Sequence, residues 1–167
     1  MERILILGGS GFIGNAIYKE LCSYFDTHAT YFSENDFYDS NQQFHQYDLE
    51  TENIEVLLEA LKPNIIISAI RGDFDAQIAA HFSVINYILR TNSKLIFISS
   101  ANVFDAFTNF PSYEYDKTLS QSIYGRFKIK IENALLRLPN HNYNILRLPM
   151  VFGQGSPRIK EIKTLID

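Results

Sequence analysis

Tyr124 and Lys128 frame the stretch Tyr-Gly-Arg-Phe-Lys, so on a helix the phenol and the ammonium share one face, at positions i and i+4. A free phenol, with a pKa of about 10, is a poor proton donor and acceptor at neutral pH. A neighbouring ammonium favours the phenolate and brings the group toward a working range, so Lys128 is read as the activator of Tyr124. Ser100 stands 24 residues earlier, at the carboxyl end of an expected strand, where its hydroxyl can orient a substrate hydroxyl or carbonyl toward Tyr124. Taken alone, Tyr-x-x-x-Lys is common and usually carries no function. Its weight here comes from a glycine cluster at the other end of the chain.

Residues 3–14 read Arg-Ile-Leu-Ile-Leu-Gly-Gly-Ser-Gly-Phe-Ile-Gly, and an amphipathic segment follows at once. That order is strand, tight turn, helix: the opening of a dinucleotide-binding βαβ unit. The spacing Gly8-x-x-Gly11-x-x-Gly14 differs from the commoner Gly-x-Gly-x-x-Gly, yet the physical demands are shared. Gly8 lets the chain leave the strand sharply, and Gly11 lets backbone N–H groups come close to a pyrophosphate. Gly14 lets the helix lie tightly on the sheet. The helix N-terminus then turns its positive end to the phosphates. The competing reading is a plain tight turn without a ligand.

With 167 residues, 46% of them apolar and 20% charged, the chain can build a real core as one domain, or one domain and the start of another. A net charge of −4 and a pI near 5.5 argue against nucleic-acid and anionic-membrane surfaces. Cys22 is the single cysteine, so an internal disulfide is excluded, and it is expected as a small buried hydrophobe. The first residues carry no leader pattern, and no apolar stretch nears the ~20 residues that span a bilayer. The expectation is a cytoplasmic protein with neither a nucleic-acid nor a membrane partner.

The elements that would position these residues alternate along the chain. After a first helix over 15–25, residues 28–32 read as a second strand, whose end meets the adenine ribose in a doubly wound fold. Ser33 there suits either NAD or NADP, while Glu34 would repel a 2′-phosphate if it pointed inward. Residues 34–43 read as a loop and 44–47 as a short strand ending at Asp48-Leu49. Asp48 can accept from the adenine amino group with Leu49 on the ring, or instead help to cap a helix over 51–61 that Lys62-Pro63 closes. The continuous apolar run at 64–69 reads as a strand buried on both faces. Arg71, just past it, either reaches a cofactor or substrate phosphate or pairs with Asp73. A helix over 74–90 is expected to bury Ile78, Phe82, Ile85 and Leu89, with Asn86 as a buried amide bonded to backbone. A strand at 94–98, a loop at 105–118, a helix over 119–138 and a strand at 144–148 complete the pattern. The fold expected is α/β: a Rossmann-type doubly wound parallel sheet with helices on both faces, over residues 1–153.

At this point the chain resembles the extended short-chain dehydrogenases/reductases, the nucleotide-sugar epimerase, dehydratase and reductase group. The residues that carry the likeness are Gly-Gly-Ser-Gly-Phe-Ile-Gly, Asp48-Leu49, Asn86, Ser99-Ser100, Val103-Phe104, Tyr124-x-x-x-Lys128 and the stretch from Leu146 to Gly153. In pattern it is nearest to sugar reductases of the dTDP-4-dehydrorhamnose reductase type. The acids that sugar dehydratases place after the serine are replaced by Ala101 and Asn102, which disfavours dehydration. The resemblance implies catalysis by Ser100, Tyr124 and Lys128, with hydride passing between a nicotinamide and a sugar carbon. It implies an NADP or NAD site, with the balance toward NADP, formed by Gly8, Ser10, Gly11, Phe12, Ile13, Gly14, Ser33, Asp48, Leu49, Ala69, Arg71 and Ser99. Lys128 would also hold the nicotinamide ribose, Asn86 would support the site, and Pro149 and Val151 would flank the nicotinamide. It further implies a C-terminal substrate domain, for which residues 154–167, read as a turn and one charged helix, are too few. Either the sequence is a fragment, or a partner chain supplies that domain, or the protein has lost it; apolar residues left exposed could drive a homo-dimer, and this chain alone is expected to turn over little. The alternative is a non-catalytic dinucleotide-binding sensor or regulatory subunit on the same fold.

Overall fold

The computed structural model describes residues 2–33, 35–107, 111–153, 155–156, 159, 161–162 and 164. Six strands form one sheet: β1 (Arg3–Leu7), β2 (Asp26–Tyr31), β3 (Phe44–Gln46), β4 (Ile65–Ser68), β5 (Lys94–Ser100) and β6 (Tyr143–Leu148). Their order is β3-β2-β1-β4-β5-β6, with every neighbouring pair parallel. The order reverses at β1, which pairs with β2 on one side and β4 on the other. A crevice opens outside the carboxyl ends of the strands at such a switch point.

Each crossover carries a helix: α1 (Phe12–Leu21), α3 (Ile54–Leu61), α4 (Phe74–Thr91) and α5 (Ile123–Leu135), with a single-turn α2 (Asp36–Asp39) before β3. Alternating residues of the central strands feed two cores. Leu5, Leu7, Ile66, Leu95 and Phe97 pack under α3, α4 and α5. Ile4, Ile6, Ala29, Ile67 and Ile98 form the other face, where Ile17, Tyr18 and Leu21 of α1 join them. The unbroken Ile65-Ile66-Ile67 run of β4 therefore serves both faces, as a central parallel strand must.

Helix ends follow local chemistry. Asn53 and Asp73 cap α3 and α4 by accepting from Glu55 N and Ala76 N at 3.0 and 2.9 Å. Both helices stop on a left-handed residue, Lys62 (φ 49°) and Asn92 (φ 56°).

Several sequence expectations need correction. α1 starts at Phe12, because the chain enters the helix straight from Gly11. The stretch expected as loop holds α2, nucleated by Asn35, whose side chain accepts from Phe37 N. Cys22 is exposed, because it lies at the C-cap of α1, beyond the helix's contact with the sheet. In α4 the buried face is Gln77, Ala80, His81, Val84, Ile85, Tyr87 and Ile88; Phe82 and Leu89 are 45% and 47% exposed and Asn86 is exposed too. The helix is rotated from the all-apolar choice so that Gln77 and His81 can bond the turn and strand beneath them. α5 begins only at Ile123, since Ser120–Ser122 form the capping turn and Ser122 accepts from Gly125 N. The helix expected over 158–167 lies largely outside the described residues, as does Glu34.

Candidate functional site

The glycine turn is built from contacts that admit no side chain. Gly8 takes φ +81°, its N–H donates to Thr30 Oγ1 at 2.8 Å, and its carbonyl accepts from Gly11 N at 3.0 Å. A Cβ on Gly14 would lie 2.1 Å from the Gly8 oxygen, and one on Gly9 would lie 2.4 Å from the Ala29 Cβ. α1 opens at Gly11 with no side chain capping it. The N–H groups of an uncapped first turn lack intrahelical acceptors and suit an anion.

Two clefts lie along this edge. The larger, about 610 Å³, is bordered by Gly11, Phe12 and Ile13 at one end and by Ser99, Ser100, Tyr124, Lys128, Pro149 and Val151 at the other. The smaller, about 230 Å³, takes in Gly8, Ser10, Gly11, Thr30, Tyr47, Asp48 and Leu49. Both share Gly11, Ala69, Ile70, Arg71 and Gly72, so together they make one groove across the switch point. Ser33 is exposed beyond β2 and borders neither, and Gly14 acts from behind, against Gly8.

At the far end, Tyr124 is 40% exposed, with Ser100 at hand. Gly125 makes this approach possible: a Cβ there would sit 2.0 Å from Ser120 Oγ and 2.5 Å from the Asn102 carbonyl. Ser100 also donates to Asn102 Oδ1 at 2.9 Å. The electrostatics depart from expectation. Burial raises the Tyr124 phenol above its ordinary value, opposed by the nearby Ser100 hydroxyl and by the charge of Arg71. Lys128 is not the group that lowers it. Its ammonium is buried, donates to the Ile98 carbonyl at 2.9 Å and lies 4.7 Å from the Phe97 ring centre and 5.7 Å from that of Tyr124. Burial pulls Lys128 itself down to about 8, with Glu132 working the other way.

Beneath this end lies a buried ion pair. Glu132, with no exposed surface, accepts from Ser99 Oγ at 2.5 Å and from Arg147 Nη2 at 2.8 Å. Arg147 in turn donates to the Glu114 carbonyl, tying the connection before α5 to the end of β6. The Ser99 hydroxyl is thus committed inward.

The other sequence candidates fall as follows. Asp48 accepts from Glu50 N at 2.9 Å and Thr51 Oγ1 at 2.7 Å, so it organises the turn before α3 while still bordering the smaller cleft. Arg71 does not pair with Asp73, whose carboxylate caps α4. Sequence reasoning missed Thr30, Gln77, His81 and Gly125. Of these, only Gly125 left a signal, a glycine inside a helical segment where its cost needs a packing reason. His81 is fully enclosed, its Nε2 2.8 Å from Ser68 Oγ and its Nδ1 2.5 Å from the Gln77 carbonyl. Among the described residues no group of three metal-ligating side chains gathers, and no helix is long and apolar enough to cross a membrane.

Residues 1–165 match the family model described as the RmlD substrate binding domain. The β subunit of methionine adenosyltransferase 2 from Bos taurus is 28% identical over 163 residues, covering 92% of this chain and 48% of that protein. A dTDP-4-dehydrorhamnose reductase from Aggregatibacter actinomycetemcomitans is 27% identical over 168 residues, covering 92% of this chain and 53% of its own. The chain thus spans about half the length of the curated relatives it matches. Among solved structures, the dTDP-4-dehydrorhamnose reductase of Bacillus anthracis, in complex with NADP, superposes with a TM-score of 0.75 at 22% identity, over 98% of this chain and 59% of that one. The fold is the Rossmann fold of the extended short-chain dehydrogenases/reductases, and the chain belongs to the RmlD substrate-binding-domain family.

Proposed function

We propose that this chain binds NADP or NAD along the groove and that Tyr124, Ser100 and Lys128 serve reduction or epimerisation of a nucleotide-sugar. The observation that carries the reading is the continuity of the groove, from the glycine turn at one end to Tyr124 and Ser100 at the other. The turn fits a pyrophosphate because Gly8, Gly9 and Gly14 let it fold tightly against the end of β4, against β2 and against its own helix, and α1 begins uncapped. Adenosine belongs in the smaller cleft near Asp48 and Leu49, and nicotinamide in the larger one near Pro149 and Val151. When bound, the dinucleotide supplies the hydride donor or acceptor. Ser100 holds the sugar oxygen, Tyr124 gives or takes its proton, and Lys128 contributes a positive charge anchored on the Ile98 carbonyl. A relative complexed with NADP and a relative named as a reductase support this assignment.

A second reading is a dinucleotide-binding subunit that acts on a partner enzyme. It is favoured by the relatives named as the β subunit of an adenosyltransferase and by the raised Tyr124 phenol, which is poorly tuned for catalysis. Tyr124→Phe separates the two. In an oxidoreductase, turnover followed by nicotinamide absorbance falls by about two orders of magnitude or more while dinucleotide affinity holds. Undiminished turnover would remove Tyr124 from the chemistry. Loss of dinucleotide binding would make it a binding residue.

A further inference from the structure

The shared wall of the two clefts contains one charged side chain. Of Gly11, Ala69, Ile70, Arg71 and Gly72, only Arg71 carries charge. It is exposed, and no described carboxylate pairs with it. The nearest acid in sequence, Asp73, is spent on capping α4. The loop that presents Arg71 is held firmly. Ala69 N donates to Leu7 O at 2.9 Å, and Gly72 takes φ +137°, a conformation that favours glycine. The Gly72 carbonyl accepts from Gln77 Nε2 at 2.9 Å, and Gln77 is itself buried under the loop. Arg71 and Tyr124 border the same larger cleft, and the guanidinium lies near enough for its charge to act on the phenol. The other cation of the larger cleft, Lys128, is turned to the Ile98 carbonyl. Acids border both outer ends: Asp48 and Glu50 in the smaller cleft and Glu161 in the larger. An anion entering the groove therefore meets its favourable position at the junction.

We propose that Arg71 is an anion clamp at the junction of the two clefts, closing on the diphosphate of a dinucleotide from the β4 side while the glycine turn holds it from the β1 side. This rests on the dinucleotide reading and deepens it. A planar guanidinium can bond two phosphate oxygens at once, and such charge-assisted pairs are among the stronger hydrogen bonds.

The test is calorimetric titration of NADPH, NADH and ADP into the wild type, Arg71→Gln and Arg137→Gln. ADP carries the diphosphate but no nicotinamide, and Arg137 is an exposed arginine at the end of α5 that borders neither cleft. Arg71→Gln should weaken both ADP and whichever dinucleotide the wild type binds, by about tenfold or more. Arg137→Gln should leave both within about twofold. The ligand-free melting temperature of Arg71→Gln should match the wild type, since no described bond is lost. The clamp is overturned by ADP binding that survives Arg71→Gln, by an equal loss in Arg137→Gln, or by a lowered ligand-free melting temperature. A wild type that binds none of the three ligands would instead overturn the dinucleotide reading, and the clamp with it.

Discussion

Acidifying a solution of this protein forces a proton onto His81, a ring with no solvent around it and both nitrogens already engaged. Nε2 takes the Ser68 hydroxyl and Nδ1–H donates to the Gln77 carbonyl, with the edge of the ring against Phe97. Burial draws its pKa down from 6.5 to about 4, the bond to Gln77 opposing and the charge of Lys128 reinforcing. The unfolded chain accepts the proton at about 6.5, the folded one only near 4, so protonation favours unfolding. The stabilisation is complete above pH 6.5, declines as pH falls, and is gone below about 4. At about 1.4 kcal/mol per pH unit, the neutral ring is worth roughly 3 kcal/mol at pH 7. His28 and His45, whose ring nitrogens approach to 2.9 Å, are also drawn below their ordinary value by burial, and Asp26 is lowered chiefly by its bond to Arg3, so all three add to acid loss. The discriminating assay is urea unfolding at several pH values between about 7 and 4.5, in the wild type and in His81→Gln. The wild type should lose stability more steeply, by about one proton's worth of slope. Equal slopes in the two proteins would refute the argument. So would an imidazole resonance of His81 that titrates near pH 6.5 in the folded wild type.

Two further substitutions probe the scaffold. Gly14→Ala places a methyl 2.1 Å from the Gly8 oxygen and should cost about 1–3 kcal/mol while weakening dinucleotide binding; unchanged denaturation and affinity would show that the turn has slack. Glu132→Ala strands Arg147 beside a buried void and should cost about 3–5 kcal/mol, whereas the double change Glu132→Leu with Arg147→Met should recover much of it. Equal losses in the single and double variants would deny that the pair acts as a unit.

Local chemistry with a single solution was legible in the sequence. A short β-branched run such as Ile65-Ile66-Ile67 suits a strand buried on both faces, and glycines at 8, 11 and 14 after a strand leave few choices of turn. Ser100 was expected at the carboxyl end of a strand and Tyr124 on a helix, and β5 and α5 bring both to the wall of the larger cleft. What failed depended on three-dimensional competition. Apolar periodicity put Phe82 and Leu89 inside α4, but the helix turns so that Gln77 and His81 satisfy Gly72 and Ser68. Spacing put the Lys128 ammonium on the Tyr124 side of the helix, and it lies 5.7 Å from that ring's centre, but its hydrogen bond goes to the Ile98 carbonyl, and Arg71 from another loop supplies the charge that opposes the raised phenol. Cys22 was expected inside by residue type, but it stands at the C-cap of α1, past the helix's contact with the sheet.

The central claim is that the groove across the switch point holds a nicotinamide dinucleotide, and a thermal-shift titration with NADPH and NADH in parallel tests it most directly. At about 100 times Kd, binding contributes about 2.7 kcal/mol, which for a chain of this size raises the melting temperature by about 5–10 °C. A shift with at least one of the two is the expected result, and a shift with one alone would also assign the preference at the ribose end. No shift with either, at concentrations where ordinary dinucleotide sites saturate, would contradict the account and leave the glycine turn as a structural feature only.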